Sequence, residues 1–278
     1  MLKRLHVCLT LLSMVTSVTA ANKMKPEEKA GYDKTKGIGP AIMAGKTHYL
    51  YPKSDKLLPY IFSTPKHFKK PGEKIPLVIF LHGIQVRGTR LEKAEIHGPP
   101  KLIKKGRDFP FALISPLCPN DGPYNKGPEA KRGTLFWWHY PTADKVKNII
   151  DHELKRHPQL DPDRIYITGL SMGGFGVYKL ALKYPDLFAA AIPMAAHANI
   201  PIKTMDLKPL KELPFWAFHG EKDRGVKLSE HQQTVDSLKN AGVAITFTVY
   251  PGVGHNCWGK AYDNPKLYEW MLKKRRKQ

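Results

Sequence analysis

Residues 164–176 read RIYITGLSMGGFG. Ile165, Tyr166, Ile167 and Thr168 are β-branched or aromatic, the composition of a strand, and the run stops at Gly169. Ser171 follows, flanked by Gly169 and the pair Gly173-Gly174, and a helix is expected from there to about Tyr184. A strand that turns directly into a helix brings neighbouring backbones close together, which glycine permits. It leaves the residue at the apex strained and exposed. GLSMG (169–173) fits the G-x-S-x-G form of such a turn. On this stretch alone Ser171 has two readings: a nucleophile on a strained apex, or a small residue in a glycine-rich loop.

Outward from this turn, strand and helix signals alternate. PLVIFL (76–81) and FALISPL (111–117) are continuous apolar runs, and FAAAIPM (188–194), PFWAFHG (214–220) and AITFTVY (244–250) read as further strands. Strands apolar on both faces suit a sheet covered on both sides. THYLY (47–51) and LPYIFST (58–64) read as two further short strands. In residues 143–156, Val146, Ile149, Ile150 and Leu154 share one helical face, with Thr142 as the expected N-cap. Further helices fit 228–240 and 265–274, and DPDR (161–164) reads as a turn. The alternation predicts one α/β domain over 46–272, with a mainly parallel sheet and helices on both faces.

A serine nucleophile needs a base, and the base needs an orienting acid. In a fold of this kind the chain order is Ser, acid, His, and such groups gather beyond the carboxyl ends of the strands. Asp223 lies in EKDRGV (221–226), directly after PFWAFHG, with Glu221 as a rival. His255 lies in PGVGHNCW (251–258), directly after AITFTVY. Taken singly, Asp223 could be a loop acid or helix cap and His255 an exposed loop histidine. Their coincidence in order and position with Ser171 favours a triad. The backbone N–H of Met172 is one expected oxyanion donor. The second is expected after PLVIFLHG, from Ile84 or Gln85, and His82 reads as structural.

The ends of the chain carry other signals. Residues 1–20 have a basic start (Lys3, Arg4), an apolar stretch and a small-residue end, which predicts a signal peptide cut after Ala20. The apolar stretch falls short of the roughly 20 residues of a membrane span, and no later segment reads as one, so a secreted or periplasmic protein is expected. Residues 21–45 read as an extended segment, and 273–278 as a basic, solvated tail. The formal charge of +21 predicts some affinity for polyanions. Nothing resembles a motif for specific nucleic-acid binding. Outside the leader, Cys118 and Cys257 are either a disulfide or two buried thiols, and no spacing suggests a metal site.

Several ordered segments add a resemblance: PLVIFLHG, HGPPKLI (97–103), SPLCP (115–119), Trp137-Trp138, DPDRIYITGLSMGGFG, WAFHGEKD (216–223), YPGVGH (250–255) and YDNPKLYEWML (262–272). From Leu58 to Leu272 the chain resembles the α/β-hydrolase superfamily. Within it, the chain is similar to secreted carboxylesterases of the "predicted peptidase" branch, related to feruloyl esterases and polyhydroxybutyrate depolymerases. The resemblance implies Ser171 as nucleophile, His255 as base and Asp223 as acid. It also implies an oxyanion hole from Met172 and the residue after His82-Gly83. Trp137 and Trp138 would belong to a substrate-binding wall or, equally, to the core. Relatives have a small residue and a glycine after the His-Gly; Ile84 and Gln85 stand here. After AIPM, relatives often have a glycine-rich turn, and this chain has AAHANIPIK (195–203).

The expectation is a secreted serine hydrolase acting on small esters or polysaccharide esters, acyl or feruloyl, without metal or organic cofactor. A serine peptidase with the same triad, or a non-catalytic polyanion-binding protein on the same scaffold, are the alternatives.

Overall fold

The computed structural model describes residues 42–70, 72–119, 136–137, 140–198 and 206–276. The strands are β1 (Thr47–Leu50), β2 (Tyr60–Ser63), β3 (Ile75–Leu81), β4 (Ala112–Pro116), β5 (Leu160–Leu170), β6 (Ala190–Met194), β7 (Phe215–Gly220) and β8 (Ile245–Tyr250). They form one sheet in the order β1-β2-β4-β3-β5-β6-β7-β8. β1 and β2 are antiparallel to each other, and β2 to β4; every pairing from β4 to β8 is parallel. This is the α/β-hydrolase architecture, a mostly parallel sheet between helices.

The two sides of the sheet follow from alternation along each strand. Leu77, Ile79 and Leu81 of β3 pack into one layer with α2 (Tyr140–Arg156), α3 (Met172–Lys183) and α4 (Leu228–Asn240). Val78 and Phe80 point the other way, to α1 (Gly98–Lys104), α5 (Trp258–Asp263) and α6 (Pro265–Leu272). The central strands are therefore apolar on both faces, as their sequence indicated. Ile42 is also buried in the first layer, so packed chain begins ahead of residue 46. Among the described residues no helix is long and apolar enough to cross a membrane.

Three local expectations change. Helix α2 starts at Tyr140, so Thr142 lies buried inside its first turn and is not the N-cap. Pro141 explains this, because its fixed φ and missing N–H suit a first helical turn. The DPDR segment lies within β5 as a register shift: Ile75 pairs with Leu160, but Leu77 pairs with Ile165. The Asp161 carboxylate there accepts the Asp163 N–H at 3.0 Å, so the expected turn survives as a bulge. The described part of the basic tail is not loose. Arg275 lies 3.2 Å from Asp161 and Arg276 3.1 Å from Asp163, and the Arg276 N–H donates to the Asp163 carbonyl at 2.8 Å.

The strand ends meet the helix heads at glycines. A Cβ on Gly173 would lie 1.9 Å from the Leu81 carbonyl oxygen, a contact no side chain can accept. A Cβ on Gly259, in α5, would meet nothing nearer than 3.7 Å. Gly173→Ala should therefore destabilise the protein by about 1–3 kcal/mol or more. Gly259→Ala should be neutral or stabilising by up to about 1 kcal/mol. Urea denaturation of the two variants checks the contrast.

Candidate active site

Ser171 occupies the turn from β5 into α3 with φ 52° and ψ −121°. Among the described residues, only Ser171 and Ala195 have a positive φ without being glycine. Such a conformation costs on the order of 1–3 kcal/mol and persists where the surroundings enforce it. Here the enforcement is backbone contact. A Cβ on Gly169 would lie 2.6 Å from Gly173 and 2.9 Å from the Leu81 carbonyl, so the turn is pressed against the end of β3. The Ser171 N–H donates to the Met194 carbonyl at 2.9 Å, fastening the turn to β6.

A serine at a helix start ordinarily caps it by accepting an N–H from the first turn. Ser171 makes no such side-chain cap. Its Oγ instead lies 3.0 Å from His255 Nε2. His255 Nδ1 donates to Asp223 Oδ2 at 2.8 Å. Because a carboxylate only accepts, that bond puts the imidazole proton on Nδ1 and leaves Nε2 able to take the serine proton. The Asp223 side chain is fully buried, and its Oδ1 accepts N–H groups of Gly225 (2.8 Å) and Val226 (2.9 Å). Glu221, the rival acid, is turned away and accepts the Gly252 N–H at 2.7 Å.

The acid and base loops meet at glycines too. A Cβ on Gly220 would stand 2.1 Å from the Gly254 carbonyl oxygen. Only a bare backbone at that position lets the chain after β7 run against the chain after β8. The structure thus brings Ser171, His255 and Asp223 together from three strand ends. Met172 is the first residue of α3, so its N–H has no partner within the helix.

Ile84 begins a short 3₁₀ turn, Ile84–Val86. A Cβ on Gly83 would lie 3.8 Å from Ser171 Cβ, so the chain that carries Ile84 runs beside the serine. The Val86 N–H is spent on the Gly83 carbonyl at 3.2 Å. His82 is structural: its Nδ1 donates to the Gly83 carbonyl at 2.8 Å, and its Nε2 accepts the Cys118 N–H at 3.0 Å. Burial pushes its pKa down from 6.5 to about 4. Trp137 is fully buried and cannot be an exposed substrate wall. Its indole N–H donates to the His82 carbonyl at 3.0 Å, and a Cβ on Gly176 would strike it at 2.5 Å. Trp138 and residues 199–205 lie outside the described residues.

Two features near the triad had no signal in the sequence reading. The Trp258 ring meets the His255 ring edge-on at 5.1 Å, and His97 contacts the same indole at 5.8 Å. Behind Asp223, His219 lies 3.3 Å from its carboxylate. Cys118 and Cys257 are not bridged to each other and sit in opposite core layers. Burial raises both thiol pKa values, that of Cys257 to about 12, so neither is a ready nucleophile.

With the geometry in place, comparison with known proteins locates the chain. Residues 140–265 match the family described as Phospholipase/Carboxylesterase. The chain is 32% identical over 204 residues to the probable carboxylesterase SOBER1-like of Arabidopsis thaliana, covering 64% of this chain and 72% of that one. It is 26% identical over 215 residues to carboxylesterase SOBER1 of the same plant, covering 72% and 90%. Among solved structures, a thermostable esterase aligns with a TM-score of 0.62 at 29% identity, over 79% of this chain and 60% of the other.

His82 makes stability depend on pH. Folded, it stays neutral down to about pH 4; unfolded, it takes a proton near pH 6.5. Its contribution is thus complete above about pH 6.5 and is lost as pH falls to about 4, amounting to about 3 kcal/mol. Urea titrations at pH 7, 5.5 and 4 should show this fall, with a shallower slope in His82→Gln.

Proposed function

Because the chain belongs to the phospholipase/carboxylesterase family of α/β-hydrolases, and so is a serine hydrolase acting on ester bonds, we propose that Ser171, His255 and Asp223 are its catalytic triad. The observation that carries this reading is the 3.0 Å contact of Ser171 Oγ with His255 Nε2, made where a helix cap would otherwise form. His255 removes the hydroxyl proton as Oγ attacks the ester carbonyl. The N–H groups of Met172 and Ile84 receive the oxyanion, the nearness of Gly83 to Ser171 favouring Ile84 over Gln85. His255 then gives its proton to the departing alkoxide, leaving an acyl-serine and a free alcohol. In the second half His255 takes a proton from water, the hydroxide adds to the acyl carbon, and the acid leaves as Ser171 regains its hydrogen. Asp223 holds the imidazole in one tautomer and offsets the charge that forms on it.

The substrate we propose is a small acyl or aromatic ester, including acyl or feruloyl groups on acidic polysaccharide. The leader at residues 1–20 supports action outside the cytoplasm, and the net charge, +21 less the two of Lys3 and Arg4 in the leader, supports an anionic carrier. Arg275 and Arg276 are already engaged by Asp161 and Asp163, so the attraction falls to the other lysines and arginines.

A panel of acetyl, feruloyl and longer acyl esters beside peptide amides tests this. Wild type should cleave the esters and spare the amides, with Ser171→Ala slower by about 10⁴-fold or more. Amide turnover matching that of the esters would make the protein a peptidase. Ester hydrolysis that survives Ser171→Ala would overturn the triad.

A further inference from the structure

The layer between α3, α4 and β7 holds a line of polar side chains. His219 on β7 and His231 on α4 are completely buried, and Tyr178 on α3 nearly so. His219 Nδ1 lies 2.7 Å from His231 Nδ1, and His231 Nε2 lies 2.8 Å from the Tyr178 hydroxyl. At the far end, His219 Nε2 lies 3.0 Å from the Val226 carbonyl and 3.3 Å from Asp223 Oδ2. Phe215 stacks on Tyr178 and Phe247 packs on His231, so these polar groups sit in an otherwise aromatic pocket.

Hydrogen-bond logic fixes the direction of the line. A carbonyl oxygen only accepts, so His219 Nε2 carries a hydrogen. Burial lowers the pKa of both histidines and keeps them neutral. The neutral His219 then has a lone pair at Nδ1 and accepts from His231 Nδ1–H. His231 Nε2 is left as the acceptor for the Tyr178 O–H. Every donor therefore points from the core toward the turn that carries the acid.

That turn depends on an inner anchor. Residues 221, 222, 224 and 225 are exposed, and Gly225 adds backbone freedom. The Val226 N–H is one of the two donors on Asp223 Oδ1, while its carbonyl is held by His219. Val226 is thereby held on both sides, its N–H by Asp223 and its carbonyl by His219. With Oδ1 engaged by the turn, Oδ2 faces His255 Nδ1 at 2.8 Å, with His219 Nε2 behind it at 3.3 Å.

We propose that His219, backed by His231 and Tyr178, is a positioning residue for ester hydrolysis: it clamps the 223–226 turn so that the Asp223 carboxylate faces His255. This rests on the triad reading above, and it assigns the buried line a role in turnover beyond holding the core together.

The test uses full-length His219→Phe, His219→Gln, Tyr178→Phe and Ser171→Ala on one soluble acetyl ester, with circular dichroism to set the folded concentration. His219→Phe should lower kcat about 10- to 100-fold, as a misplacement of an ångström or less does. KM should change by less than about 2-fold, and the acid limb of the kcat/KM pH profile should move. His219→Gln should recover much of kcat, because its side-chain N–H can reach the Val226 carbonyl. Unchanged kcat and pH profile in folded His219→Phe, with only the melting temperature reduced, would overturn the proposal. If His219→Phe does not fold, Tyr178→Phe decides: a fall in kcat of about 2- to 5-fold with a moved acid limb supports the clamp, and no change overturns it. Activity retained by Ser171→Ala would instead strike the triad reading.

Discussion

The Leu81 carbonyl oxygen occupies the space that a side chain on Gly173 would need, and the arrangement of the site depends on this crowding. The end of β3, the turn after β5 and the head of α3 share one volume, which glycines at 169 and 173 alone can vacate. Compressed there, Ser171 is held at a φ of 52°. The strain has a chemical consequence: the hydroxyl is raised off the helix it would otherwise cap and presented to His255.

A second close approach completes the arrangement. Gly220 lets the chain after β7 run against the backbone of the loop after β8, which sets Asp223 and His255 side by side. Neither loop is a rigid element. The hydrogen bonds to Asp223 from its own turn, and the buried histidine line beneath that turn, supply the stiffness that loop residues lack. In the triad we propose, strain exposes the nucleophile Ser171 and the clamp at Asp223 fixes the base His255.

Much of this was legible in the sequence, and the parts that were not have identifiable reasons. The apolar runs named the central parallel strands, such as β3 and β4, because these are buried on both faces. Ser171, Asp223 and His255 could be picked out because each directly follows a strand, where an open α/β sheet gathers its functional groups. His219 was hidden because its partners lie on other elements: Val226 in the turn after β7, His231 on α4 and, beyond it, Tyr178 on α3. Helical spacing gives a face but not what the face meets. Trp137 read equally as wall or core, and its hydrogen bond to the His82 carbonyl is a tertiary fact without a local signature. The basic tail read as solvated because its acidic partners, Asp161 and Asp163, lie over a hundred residues away. Thr142 has the chemistry of a cap, but Pro141 suits the first helical turn better and the helix begins ahead of both, at Tyr140.

We propose that the strained apex makes Ser171 the group that carries the acyl chain. Treating the wild-type protein with a fluorophosphonate, digesting it with trypsin and mapping the adduct by mass spectrometry tests this directly. A single adduct is expected within residues 165–179, the tryptic peptide that holds Ser171. An unmodified protein, or an adduct on any other peptide, would contradict it.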